Sequence, residues 1–139
     1  MAVILEEGIR SYLAGFAGIS ALVGTRIYPL VIPQGATLPC ITYQRISTPR
    51  ISTHDGSGMS GDLSSPRFQF DAWATTLSSV KAITDQIRAA LNGKTGSIGT
   101  APYAYTIRAA LADNEQPEYD PESELYRGRS DYIIWHQEA

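Results

Sequence analysis

A chain of 139 residues in which 43% are apolar and 18% charged is long enough to bury a core without staples and too apolar for a disordered polymer. Its net charge of −3 excludes a surface built, as duplex-gripping domains usually are, to neutralise phosphates with an excess of Lys and Arg. The single cysteine, Cys40, excludes an internal disulfide or a multi-cysteine metal site and fits a reducing compartment.

At the N-terminus, Val3, Leu5, Ile9, Tyr12, Leu13 and Phe16 recur at spacings of three and four with Glu6, Glu7, Arg10 and Ser11 between them. That is the pattern of an amphipathic helix with acidic residues near its positive end. The same acidic pair breaks the basic-then-apolar order of a signal peptide, and no apolar run reaches the roughly 18 residues of a membrane span, so neither secretion by that route nor a membrane partner is expected. Gly15 and Gly18 weaken the helix, and a short second turn carrying Ile19, Leu22 and Val23 ends at Gly24. An extended segment at Arg26–Leu30 and a loop around Pro33–Ala36 follow.

Cys40–Ser47, CITYQRIS, has strand composition, with Ile41, Tyr43 and Arg45 on one face and Cys40, Thr42, Gln44 and Ile46 on the other. The stretch 47–65 is rich in Ser, Gly, Thr and Pro and is expected to be a long arm or hairpin loop, of a length that usually has a function. In 66–74, PRFQFDAWA, Phe68, Phe70 and Ala72 alternate with Arg67, Gln69, Asp71 and Trp73, as in a central strand with two unlike faces. Thr75 or Thr76 caps a helix with Val80, Ile83, Ile87 and Leu91 on one stripe, thickened by Ala82, Ala89 and Ala90, and Gly93 terminates it.

After a turn over 94–102, Tyr103–Leu111 has strand composition, with Tyr103, Tyr105 and Ile107 on one side. Asp113, Glu115, Glu118, Asp120, Glu122 and Glu124 lie in a segment interrupted by Pro117 and Pro121, expected as an acidic surface loop. It is either a solvated loop, a cation site, or a contact with a neighbour or lumen. The final run, LYRGRSDYIIWH, alternates Tyr126, Ser130, Tyr132, Ile134 and His136 against Leu125, Arg127, Arg129, Asp131, Ile133 and Trp135 and closes the sheet. Arg127 and Arg129 either contact a partner or form a salt-linked solvent face with Asp131, the partner reading being preferred. The expected fold is a single α+β domain over 1–139, with two helices on one face of a mostly antiparallel sheet of about four to five strands.

Motifs of chemistry fail on context. Gly56-Ser57-Gly58-Met59-Ser60-Gly61 matches the dinucleotide pattern G-x-G-x-x-G, but a proline and a strand follow it where a helix should open. Gly93-Lys94-Thr95 resembles the end of a phosphate loop, yet it closes a helix and Arg88 stands where the first glycine belongs. His54 and His136 lack zinc spacing, no G-x-S-x-G elbow is present, and Cys40 beside a proline at a strand start suits a core position better than a nucleophile. No catalytic, cofactor or metal site is assigned.

LEEGIRSYL, ALVGTRIYPL, PQGATLPCITYQRIS, FQFDAWA, KAITDQIRAAL and PESELYRGRSDYIIWH, taken in this order and spacing across nearly the whole chain, resemble the tail-completion, or tail-terminator, proteins of long-tailed phages. The arm at 47–65 departs from that pattern in length. The resemblance implies a non-enzymatic virion protein, a small α+β subunit of a hexameric ring. Such a ring caps the finished tail tube, stops its growth and meets the head connector or stopper, while genome DNA passes through its hole without sequence-specific binding. Open strand edges and the arm would pair between copies. Candidate contacts with a sister copy or partner are Arg26, Tyr28, Arg45, Arg50, His54, Arg127 and Arg129. Two other readings are a head-side connector or stopper ring and a small phage nucleotide-binding enzyme, the latter resting only on the glycine pattern and His54-Asp55.

Overall fold

The computed structural model describes residues 4–48, 50–51 and 63–137. His54, Gly56–Gly61 and most of the expected arm therefore lie outside the described residues. The elements are α1 (Leu5–Gly15), α2 (Ala17–Val23), β1 (Ile27–Pro29), β2 (Cys40–Ser47), β3 (Arg50–Ile51), β4 (Leu63–Ser64), β5 (Arg67–Ala74), α3 (Leu77–Leu91), β6 (Gly96–Ile98), β7 (Tyr105–Ile107), β8 (Ala109–Asp120) and β9 (Leu125–Gln137). The fold is α+β, with strands in the order β1-β2-β5-β9-β8. Only β1 and β2 run parallel. The short β3–β4 pair continues the sheet beside the C-terminal end of β9, and β6–β7 forms a small hairpin of its own.

α1 buries Leu5, Ile9 and Leu13, spaced by four residues, and holds Glu6 and Glu7 in its first turn, where the helix dipole favours them. Phe16 is extended, so the chain breaks there and restarts as α2, which buries Ile19 and Val23 before ending at Gly24. The expected second turn is thus a third helix. α3 starts where the Thr76 hydroxyl accepts a hydrogen bond from the Ser79 amide at 3.2 Å, an N-cap worth about 1 kcal/mol. Val80, Ile83, Ile87 and Leu91 are buried as the stripe requires, joined by Thr84 and Ala90, whereas Ala82 and Ala89 face solvent. At its end Gly93 takes a φ of +82°, the left-handed conformation that fits glycine.

All three helices cover one face of the sheet. On that face Ile41, Tyr43, Phe68, Phe70, Ala72, Tyr132 and Ile134 are buried, and the Phe70 ring meets Tyr132 edge-on at 5.6 Å and stacks with Phe68 at 6.2 Å. Central β5 lies between β2 and β9, as its two-faced alternation requires.

Two segments differ from expectation. The turn over 94–102 contains β6, and the apparent single strand 103–111 is divided at Arg108 into β7, which pairs with β6, and the start of β8. The acidic run is not a loop: Asp113–Asp120 continues β8 along β9, and only 121–124 form the turn. Acidic residues and proline are disfavoured in strands on average, but pairing along one side decides the matter here, and a border strand tolerates both.

Gly128 lies under α3, where an added Cβ would sit 2.5 Å from Val80 Cγ1 and 2.6 Å from Thr84 Oγ1. The Thr84 hydroxyl already donates to the Val80 carbonyl at 2.9 Å, so neither atom turns aside freely. Gly128→Ala is expected to destabilise the chain by about 1–3 kcal/mol through overpacking, read from the urea midpoint.

Candidate functional site

With the helices on one side, the other face of the sheet carries the second half of each strand's alternation. Arg67, Gln69, Asp71 and Trp73 on β5 stand beside Arg127, Arg129, Asp131 and Ile133 on β9. Arg127 contacts Asp71 at 3.1 Å and Glu118 at 3.6 Å, and Glu118 lies 3.7 Å from Arg129. Arg129 reaches toward Asp131 at 4.0 Å, and Arg67 bridges Asp131 at 3.4 Å and Asp113 at 2.6 Å. Asp71, 5% exposed, also accepts two hydrogen bonds from the Gln69 amide at 2.9 and 3.1 Å. The Arg127 guanidinium lies 5.3 Å from the centre of the Trp73 ring, whose Nε1 donates to Thr42 Oγ1 at 3.0 Å. This charged ladder has apolar ends. Ile46, Leu111, Ile133 and Trp135 stand at one end, and Leu30, Val31 and Leu125 at the other.

At the second end, Leu30–Ile32 and the turn residues Asp120, Ser123 and Leu125 wall a groove of about 350 Å³ floored by Thr42, Gln44, Asp71, Trp73 and Arg127. The turn is locked by Asp120, whose carboxylate accepts from the Glu122 amide at 3.2 Å and the Ser123 hydroxyl at 2.8 Å.

The sequence-predicted contacts scatter. Arg127 and Arg129 are in the ladder, and Tyr28, half-buried opposite Thr42, shares its face. Arg26 lies at the start of β1, bonded through Nε to the Pro39 carbonyl at 2.8 Å. Arg45 faces the helices instead, pairing with Glu6 at 3.0 Å with its guanidinium 5.4 Å from the Phe68 ring centre. Arg50 stands in β3 opposite Ser64. The acidic residues divide as well. A bulge between Ala112 and Asn114 reverses the alternation of β8, so Glu118 joins the ladder while Glu115 meets Arg88 of α3 at 2.8 Å, bonds that push the Arg88 pKa further up. Glu122 is exposed in the turn. Arg67, Asp71 and Trp73 are not among the sequence-predicted contacts, although the alternation of β5 puts them on one side.

The borders of the sheet are largely occupied. On β1, Ile27 and Pro29 point away from β2. The Ile27 amide donates to Thr25, its carbonyl accepts from Arg10, Pro29 has no N–H, and its carbonyl accepts from Val31. On β8, Ala110 exchanges hydrogen bonds with Gly93 and Lys94, and the Ala112 amide donates to the Asn92 side chain. Past the bulge the outward positions are Glu115, Pro117 and Tyr119, because their partners on β9 direct their backbone toward β5, and Pro117 removes the central donor. These two stretches are poor templates for an added strand, whereas no strand lies beside the outer side of β2 beyond Tyr43, or of β3, among the described residues.

Cys40 is buried, and burial pushes its thiol up to about 11 against a smaller opposing pull from Arg26. Among the described residues no group of three or more His, Cys, Asp or Glu is placed to hold a metal ion, and no helix is long and apolar enough to cross a membrane.

The profile of a family described as "Tail completion protein gp17" matches residues 7–137. A chain from the structure titled "Virion of native gene transfer agent (GTA) particle" has a similar fold, with a TM-score of 0.71 at 17% identity over 96% of this chain and 95% of that one. No curated protein sequence is significantly similar.

Two outcomes are expected here. Arg127→Ala strands the buried Asp71 carboxylate and should destabilise by about 2 kcal/mol, whereas Arg129→Ala, at a more exposed pair, should stay below about 1 kcal/mol in the same denaturant titration. At pH 8 only about one Cys40 thiol in a thousand is ionised, so iodoacetamide should label it only on unfolding; the stability held by the neutral thiol is constant below about pH 9 and is lost as pH rises through about 11.

Proposed function

The chain belongs to the tail completion protein gp17 family and is thus a structural protein of the virion tail; on that premise we propose that it is the subunit of a ring closing the head-proximal end of the tail tube. Six copies of the chain make the ring. One side of it seats on the last layer of tube protein and stops further addition, and the other receives the connector or stopper of the head. Genome DNA passes through the hole without base-specific contacts. The observation that carries this reading is the extent of the family match, 7–137, which runs from within α1 to the end of β9.

The surface supports a role in assembly. The helix-free face joins apolar ends to a ladder whose charges already neutralise one another, so it presents shape and apolar area without the net positive charge that would hold DNA in place. The borders along β1 and the first half of β8 are occupied, so contacts between copies there use side chains.

Electron microscopy of particles made without this protein tests the reading. Overlong tubes, or tubes of normal length lacking heads, are the expected result. Normal tubes attached to heads would remove the role, and filled heads that leak DNA beside normal tails would move the ring to the head side of the neck.

A further inference from the structure

Two sets of charged residues of opposite sign lie at the β1 border and the β8–β9 turn, and neither set makes an ion pair among the described residues. Beside β1, Arg10 reaches from α1 to the carbonyl oxygens of Ile27 and Thr25 at 3.1 and 3.4 Å, and Arg26 bonds that of Pro39. Both guanidiniums are held in place by neutral acceptors, and no carboxylate of the described residues lies within ion-pair distance of either. Next to them Leu30 and Val31 are 68% and 69% exposed. Leu30 has a φ of +66°, a left-handed conformation that a bulky side chain adopts only where its surroundings impose it, and such positions gather at functional surfaces.

Beyond β2, β5 and β9, the β8–β9 turn shows the complement. Tyr119 is 51% exposed, and Glu122 and Glu124 are exposed with no ion-pair partner among the described residues. In their own chain the two borders wall the groove above Trp73 and are kept apart by the three strands between them.

We propose that the β1 border of one copy docks on the β8–β9 turn of a second copy, Arg10 and Arg26 facing Glu122 and Glu124 while Leu30 and Val31 cover Tyr119. This rests on the ring reading above and names its contact. Opposite charges at the rim set register and encounter rate, and the apolar residues supply the area removed from water. Strand addition is not required, which agrees with the occupied borders. Because the two surfaces differ, every added copy leaves one free surface of each kind, and the series ends only when the last copy meets the first.

The test uses the full-length chain, with association followed by mass photometry and sedimentation velocity over a range of salt, and folding by thermal melting. Glu122→Lys with Glu124→Lys, at carboxylates that bond nothing among the described residues, should weaken association about tenfold or more while melting is unchanged. Adding Arg10→Glu and Arg26→Glu to that variant should restore most of the loss, and rising salt should weaken the native chain in parallel. A native ring indifferent to the Glu122/Glu124 reversal overturns this contact and leaves the ring standing, as does a charge swap that folds but restores nothing. If the swapped chain fails to fold, the Glu122/Glu124 pair and the salt series decide alone. A native chain that stays monomeric, both by itself and with purified tail tubes, removes the ring and this contact together.

Discussion

Arg67, Gln69, Asp71 and Trp73 leave β5 on one side and Phe68, Phe70, Ala72 and Ala74 on the other, and β9 is divided in the same way by Arg127, Arg129 and Asp131 against Gly128, Ser130 and Tyr132. A slip of one residue by β5 would turn two charges, Arg67 and Asp71, toward the helices and two phenylalanines toward solvent, so the register is fixed by the free energy of burial as much as by hydrogen bonds. Everything else follows from that division. The helices can lie on one face only, because the other face is where the charges go. Gly128 marks a close approach, where α3 sits over the first half of β9.

The polar face has its own internal logic. Asp71 is buried without a helix above it because Trp73, Arg127 and the neighbouring long side chains shelter it, and its charge is answered by Arg127 and the Gln69 amide. A buried ion pair of this kind adds little net stability, but removing one member leaves an uncompensated charge. Such a ladder therefore keeps the face in one arrangement, which suits a surface that must fit a partner repeatedly, and it is retained for that fixity more than for its strength.

Much of the fold was legible because the alternations were long. The stripe of α3, the eight residues of β2 and the two faces of β5 and β9 each repeat their period several times, enough to outweigh local propensity. β8 was missed beyond Leu111 because its second half is acidic, contains Pro117 and changes face at a bulge, so the period breaks where the composition also turns unfavourable. β6 was missed because three residues, Gly96–Ile98, carry no period at all. Of the candidate contacts, the alternation of β9 puts Arg127 and Arg129 on the helix-free face, and the alternation of Arg45 with Ile41 and Tyr43 puts it on the helix side, where it meets Glu6 of α1. Unpaired charge on a helix border, as at Arg10, has no signature in one sequence; it appears only when the chain is folded and the carboxylates can be seen to lie elsewhere.

Pro117 and the hydrogen bonds that tie Gly93, Lys94 and Asn92 to β8 bear on how the protein waits before it is used. A virion component is made in many copies and stored until its target exists, and a long flat strand exposed in that interval would recruit its like into fibrils. Along β1 and the first half of β8 the backbone is occupied while the groove walls and charged ends remain available, so those borders answer to a surface of the right shape rather than to any extended strand.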